Sequence, residues 1–228
     1  MMELNDYVKI DDKMKRKYKI YMDLLIEWNK KINLTAITEK NEIILKHFVD
    51  SLTIKDLIMD EASVIDVGTG AGFPGIPLKI YNDTIKVTLL DSLNKRINFL
   101  NEVINKLELK NTTAIHGRAE DIARLSDYRE KYDVVTSRAV ANMSTLLEYM
   151  MPFAKVGGLC ICMKGSNIEE ELNNSKKAIK ELGGKLSKIE EFTLPDSDIK
   201  RNIVVIEKIK PISKKYPRKA GIPSKNPL

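Results

Sequence analysis

The sequence predicts an α/β fold, with a mainly parallel sheet covered by helices on both faces and a helical extension ahead of it. Three observations carry this. From Ser63 onward, short apolar runs alternate with helical patterns. The first run, Val64–Val67, leads directly into a glycine-rich turn, Gly68-Thr69-Gly70-Ala71-Gly72. The last two runs follow each other with no helix between them.

The extension comes first. Tyr18, Tyr21, Leu25, Trp28 and Ile32 step by threes and fours, which is one face of a helix. Asn33-Leu34-Thr35 breaks that pattern. A second helical stretch runs through Ile44, His47, Phe48 and Leu52 to about Met59. Residues 1–62 therefore read as an N-terminal helical extension, 63–210 as the main domain and 211–228 as a basic tail.

Within the domain, strands are expected at Val64–Val67, Val87–Leu90, Thr113–His116, Tyr132–Thr136 and Leu159–Met163, the last entered through Gly157-Gly158. Helices are expected at Asn94–Leu107, Met143–Phe153 and Ile168–Leu182. Lys185–Phe192 and Ile203–Ile209 are the final strands. A Pro195-Asp196 turn between them predicts an antiparallel hairpin. The sheet is thus seven-stranded and mostly parallel, with an antiparallel last strand.

Composition bounds the function. The 228 residues are 43% hydrophobic and 31% charged, enough for one domain with a core, too few for two, and not the composition of a disordered chain. No apolar run reaches the roughly 18 residues of a membrane span. The polar N-terminus has no signal core. Cys160 and Cys162 alternate along an apolar run, as reduced core cysteines do. A catalytic thiol is the alternative, although no proline-cysteine turn accompanies it. No metal set is visible, and a cytoplasmic protein is expected.

Charge is placed unevenly. Glu207–Leu228 holds seven lysines and arginines against one acid, so its net +6 equals that of the whole chain. A second basic cluster surrounds Arg16. Basic ends on a neutral body suit contact with phosphates, and Arg16, Lys214, Lys215, Arg218, Lys219 and Lys225 are the candidates. A solvated tail that aids solubility is the alternative. Tyr216 either stacks on a base or packs on the tail's prolines.

The glycine turn is the strongest chemical signal. In open α/β sheets, ligands bind beyond the carboxyl ends of the strands. Gly68, Gly70 and Gly72 let the backbone approach a ligand closely. Asp66 could hold an ammonium group. Asp91, closing the second strand 19 residues after Gly72, could accept both hydroxyls of a ribose. Gly70-x-Gly72-x-x-Gly75 also satisfies the dinucleotide fingerprint, so a nicotinamide-dependent oxidoreductase competes. Pro74 inside the loop, the lack of a substrate domain and the terminal hairpin disfavour it. Topology brings Glu120 and Arg138 to the same sheet edge. Glu120 could instead cap a helix.

These residues carry a resemblance. Trp28-Asn29 with Asn33–Ile37 (NLTAI), His47–Leu52 (HFVDSL), Asp66–Pro77 (DVGTGAGFPGIP), Leu89–Arg96 (LLDSLNKR), Ser137-Arg138-Ala139 and Tyr216–Leu228 (YPRKAGIPSKNPL) occur in order across nearly the whole chain. On them the chain resembles the bacterial small-subunit rRNA guanine-N7 methyltransferases, the glucose-inhibited division protein B family. Lys46 and Ala71 are small departures, standing where arginine and proline are usual. The resemblance implies a Rossmann-like class I methyltransferase fold and S-adenosylmethionine as the methyl donor. It implies a guanine of 16S rRNA, in the small ribosomal subunit, as acceptor. It places cofactor contacts on Gly68, Phe73, Ala119, Glu120 and Arg138, and gives His47 a role toward RNA or an active-site lid; the residues alone suggest a buried helix histidine. A methyltransferase for another acceptor remains open.

Guanine N7 carries a free lone pair, so positioning replaces a general base and no catalytic side chain is expected. Arg138 is expected to serve cofactor or phosphate. Deleting Lys214–Leu228 is expected to weaken RNA binding while sparing the cofactor site. A monomer is expected.

Overall fold

The computed structural model describes residues 3–138, 141–165 and 168–228. Ala139, part of one matching motif, lies outside them.

Helix α1 spans Asp12–Ile32. Its N-cap, Asp11, accepts the Met14 N–H at 2.7 Å and satisfies one orphan donor of the first turn. It stops at Asn33, which takes the left-handed conformation (φ 49°) that asparagine tolerates better than most residues. The Asn29 side chain then accepts the Thr35 N–H at 2.8 Å. The asparagine spacing is therefore a helix stop that fixes where Thr35 points its backbone.

The second helical stretch is not one regular helix. It comprises α2 (Lys40–Ile43), a π-helical turn (Ile44–Val49) and α3 (Asp50–Leu52), with a 3₁₀ turn at Lys55–Leu57. π-turns are rare and favour functional sites. This one carries His47.

The sheet contains β1 (Ser63–Val67), β2 (Lys86–Asp91), β3 (Thr112–His116), β4 (Tyr132–Arg138), β5 (Ala154–Lys164), β6 (Gly184–Thr193) and β7 (Lys200–Lys208), in the order β3-β2-β1-β4-β5-β7-β6. The first five are parallel. β7 runs antiparallel to both β5 and β6. Strand β5 starts earlier than its glycines suggest, at Ala154, and its pairing with β4 shifts register between Tyr132 and Val134. Gly158 sits at that irregularity, where a Cβ would lie 2.9 Å from the Tyr132 carbonyl.

Helices α4 (Gly75–Tyr81) and α5 (Asn94–Lys106) pack with α1 on one face. Helices α6 (Ala119–Ile122), α7 (Met143–Met150) and α8 (Ile168–Glu181) cover the other. Strand β1 shows the alternation: Val64 joins the first core, Ile65 and Val67 the second. The apolar extension shares the first core, so α1 is part of the domain's packing. Cys160 and Cys162 are fully buried in the second core, and burial pushes the Cys162 thiol up to about 12. A thiolate nucleophile there is ruled out at neutral pH.

The C-terminal segment is an ordered strap ending in α9 (Ile222–Lys225). The Tyr216 ring is buried, with its hydroxyl bonded to Glu181. Arg218 forms a two-pronged pair with the fully buried Glu148, at 2.6 Å and 2.9 Å. Arg129 donates to the Ile212, Ser213 and Tyr216 carbonyls. Tyr216 and Arg218 thus anchor the strap, which corrects their expected display to RNA. No helix among the described residues is long and apolar enough to cross a membrane.

Candidate cofactor and acceptor site

The ends of β1, β2, β3 and β4 form one edge, and the glycine turn fills it. Gly70 has φ 62°, and a Cβ added there would stand in open space. The turn therefore keeps a concave surface free of side chains. Gly75 meets the opposite limit: its Cβ would lie 2.4 Å from Leu89 Cδ2 and 3.0 Å from the Asp66 carboxylate. That close approach lets the Gly75 N–H and the Thr69 hydroxyl both donate to Asp66 Oδ2, at 2.9 Å and 2.7 Å. Gly72 faces inward (φ 100°): a Cβ there would lie 2.6 Å from Ile76 Cγ1 and 2.8 Å from the Tyr21 hydroxyl, so it admits the packing of both behind the turn.

Asp66 is fully buried beneath the turn. It staples the loop instead of facing a ligand from the open cavity, contrary to the ammonium-holding expectation. Its Oδ1 has no partner. Burial raises the carboxyl to about 6, against the lowering effect of Thr69, Gly75 and Arg138.

Two cavities meet at Gly68, Asp91 and Ser92. The larger, about 470 Å³, is lined by Gly68–Ala71 and by Leu34, Thr35, His47, Phe73, Arg96 and Arg138. The smaller, about 260 Å³, is lined by Val67, Leu90, Gly117–Glu120 and Tyr149. A two-part hollow with an acidic group at the waist fits a nucleoside joined to an amino-acid arm. Of the sequence candidates, Gly68, Gly70, Phe73, Asp91 and Arg138 line the first part, and Gly68, Asp91, Ala119 and Glu120 the second.

Asp91 is more committed than expected. Oδ2 accepts the Gly70 N–H at 2.9 Å and Oδ1 the Leu93 N–H at 2.9 Å. Arg96 adds contacts to Oδ2 at 3.1 Å and to Oδ1 at 3.5 Å. A carboxylate has about four acceptor sites. The two backbone N–H groups take one site on each oxygen, and the two that would accept a ribose hydroxyl pair open as Arg96 swings aside. Glu120 caps no helix. It lies in the first turn of α6, is 5% exposed, and accepts the Gly221 N–H at 3.0 Å.

Arg138 sits at the end of β4 with 16% of its side chain exposed. It donates to Asp50 Oδ2 at 3.0 Å, the Lys46 carbonyl at 3.1 Å and His47 Nδ1 at 3.1 Å. Arg201 donates to the other Asp50 oxygen at 3.0 Å. The His47 ring stacks on Phe73, with centroids 4.3 Å apart and planes 16° from parallel. Both His47 nitrogens are engaged, the second with Thr35 at 2.9 Å. Burial, then the nearby Arg138 charge, lowers its pKa to about 3, so the ring is neutral. His47 is thus a buried helix histidine, as the residues alone suggest, and its fixed ring lines the larger cavity beside Phe73 and Thr35.

Thr35, Asp50, Arg96, Tyr149 and Arg201 were not singled out from the sequence. The first three fall inside the quoted motifs, and only that position marked them. Arg16, Lys214, Lys215, Lys219 and Lys225 are exposed.

A seven-stranded sheet of this order, with its reversed last strand and a glycine turn closing β1, is the class I methyltransferase fold. Among solved structures it is similar to M. jannaschii TYW2 in complex with AdoMet, with a TM-score of 0.56 and 19% identity, covering 71% of this chain and 76% of that one. Residues 14–204 match the family model described as rRNA small subunit methyltransferase G, and the chain belongs to that family. A relative named ribosomal RNA small subunit methyltransferase G from Acetivibrio thermocellus is 58% identical over 97% of this chain and 91% of its own length. One of the same name from Clostridium perfringens is 57% identical, with 93% and 90% covered.

Proposed function

We propose that this chain transfers a methyl group from S-adenosylmethionine to N7 of a guanine in 16S rRNA, acting in the cytoplasm on the small ribosomal subunit or its RNA. The observation that carries the reading is the pair of cavities joined at Gly68 and Asp91. The smaller suits the adenosine, with Glu120 and Asp91 as acceptors. The larger suits the amino-acid arm and leaves space for a base beside Phe73. When bound, S-adenosylmethionine supplies a methyl group whose bond to sulfur breaks as the N7 lone pair takes the carbon, its electron pair staying on sulfur.

No proton leaves guanine in that exchange, so the cavity needs no base. The walls agree: His47 is neutral with both nitrogens engaged, and Arg138 is turned to Asp50. What the residues contribute is orientation and exclusion of water. Exposed Arg16, Lys214, Lys215, Lys219 and Lys225 supply positive charge for the RNA backbone.

The test is transfer of labelled methyl to rRNA and to small subunits from cells lacking the gene, followed by nucleoside mass analysis. Label in 7-methylguanosine is expected; label elsewhere, or none, overturns the reading. S-adenosylhomocysteine should raise the melting temperature and NAD should not, which separates the nicotinamide alternative.

A further inference from the structure

The larger cavity contains a hydrogen-bond donor with nothing to donate to. His47 stands between Arg138 and Thr35. A guanidinium only donates, so His47 Nδ1, 3.1 Å from it, must accept. The ring proton is then on Nε2, and Thr35 Oγ1 accepts it at 2.9 Å. The Ile37 N–H donates to the same oxygen at 3.1 Å. Both lone pairs of Oγ1 are filled. The hydroxyl's own proton has no acceptor among the described residues, and Thr35 lines the cavity.

A threonine hydroxyl usually reads bases poorly, because it donates and accepts equally well. This one can only donate. Beside N7, guanine presents the O6 acceptor, whereas adenine presents an amino donor. We propose that the Thr35 hydroxyl donates to O6 of the acceptor base and selects guanine over adenine. Asp50, Arg138 and His47 are positioning residues that keep the hydroxyl a donor. Asp50 holds Arg138, Arg138 fixes the His47 tautomer, and His47 fills the threonine lone pair. The inference deepens the N7 reading above and rests on it.

Synthetic RNA segments carrying guanine, 2-aminopurine (N7 present, O6 absent) or 7-deazaguanine (N7 absent) at the methylated position would be ligated into 16S rRNA, and kcat/KM measured with the full chain. Wild type should lose about tenfold on 2-aminopurine, the worth of one neutral hydrogen bond. Thr35→Val should be about tenfold slower on guanine and should no longer distinguish guanine from 2-aminopurine. Thr35→Ser should restore both rate and discrimination. Retained S-adenosylhomocysteine binding by Thr35→Val separates base reading from loss of the fold. Equal wild-type rates on guanine and 2-aminopurine would overturn the proposal without reference to any variant. So would discrimination that persists in Thr35→Val. Methylation of the 7-deazaguanine RNA would overturn the N7 reading itself, and the Thr35 proposal with it.

Discussion

The backbone N–H of Gly221 donates to the Glu120 carboxylate at 3.0 Å, across 101 residues of sequence. The basic strap and the smaller cavity are therefore one structure. Deleting Lys214–Leu228 removes that donor and leaves the buried Glu148 without Arg218. The expected result is S-adenosylhomocysteine affinity lowered about tenfold or more, along with weaker RNA binding, where the sequence suggested that the cofactor site would be spared. Replacing Lys214, Lys215, Lys219 and Lys225 by alanine keeps the strap and removes only charge. That variant should bind S-adenosylhomocysteine normally while its RNA affinity loses about 0.7 to 0.9 of salt slope per contact removed. Calorimetry giving the folded truncation a wild-type cofactor affinity would separate strap from cavity and end this account.

Asp66 makes a prediction of opposite sense, a gain in stability. Its folded pKa is about 6, above the ordinary 3.8, because burial disfavours the carboxylate. A raised carboxyl contributes stability below pH 3.8 and loses it as pH rises through 6. At neutral pH the ionised group costs about 3 kcal/mol. Asp66→Asn keeps an acceptor for Thr69 and Gly75 without the charge. Its stability relative to wild type should improve by up to about 3 kcal/mol between pH 4 and pH 7.5. Chemical denaturation across that range tests it, and a difference that does not move with pH would refute the assignment.

His47 acts in the other direction. Its folded pKa of about 3 lies below the usual 6.5, so the protein holds the neutral ring. That contribution is complete above pH 6.5 and is lost as pH falls toward 3, amounting to about 3 kcal/mol by pH 4.5. Between pH 4 and 6 the Asp66 and His47 contributions oppose each other and partly cancel. His47→Gln should remove the acid-side loss, so its stability should fall less steeply than wild type's below pH 6.5, whatever its baseline. Parallel profiles for the two proteins would show that His47 is not the group responsible.

How much of this was legible in the sequence follows from what each residue touches. Strand β1 and the glycine turn declared themselves because Val64, Ile65 and Val67 make a short apolar run and a ligand turn needs glycine. The start of β5 at Ala154 was hidden because Lys155, Val156 and Gly157 are exposed and break the apolar run. Helix α4 is seven residues long with Pro77 in its first turn, too short to show a period. The π-turn at Ile44–Val49 differs from an α-helix by one hydrogen-bond step, which composition does not encode. For the tail, lysine density suggested contact with phosphates or a solvated segment. The carboxylates that hold it, Glu148 and Glu181, lie in α7 and α8, so no local pattern could announce the pairing. Asp91 is legible as a strand-end carboxylate, yet its partner Arg96 lies in the first turn of the next helix and its commitment to Gly70 depends on three dimensions.

The Asp50 pair of arginines gives the last prediction. Asp50 is 2% exposed and bonds Arg138 through one oxygen and Arg201 through the other. Asp50→Ala leaves two guanidiniums facing a site without an anion, and a loss of about 3 to 5 kcal/mol is expected. Arg201 is 25% exposed and can turn to solvent, whereas Arg138 at 16% has less freedom. Most of the loss should therefore come from Arg138. Adding Arg138→Met to Asp50→Ala removes the stranded charge and keeps bulk over Phe73. The double variant should regain about 1 to 3 kcal/mol over Asp50→Ala alone, a coupling that independent sites do not show. Urea denaturation of the two single variants and the double variant measures it. Losses that simply add would mean the two side chains do not depend on each other, and the support for a fixed His47 tautomer would be gone.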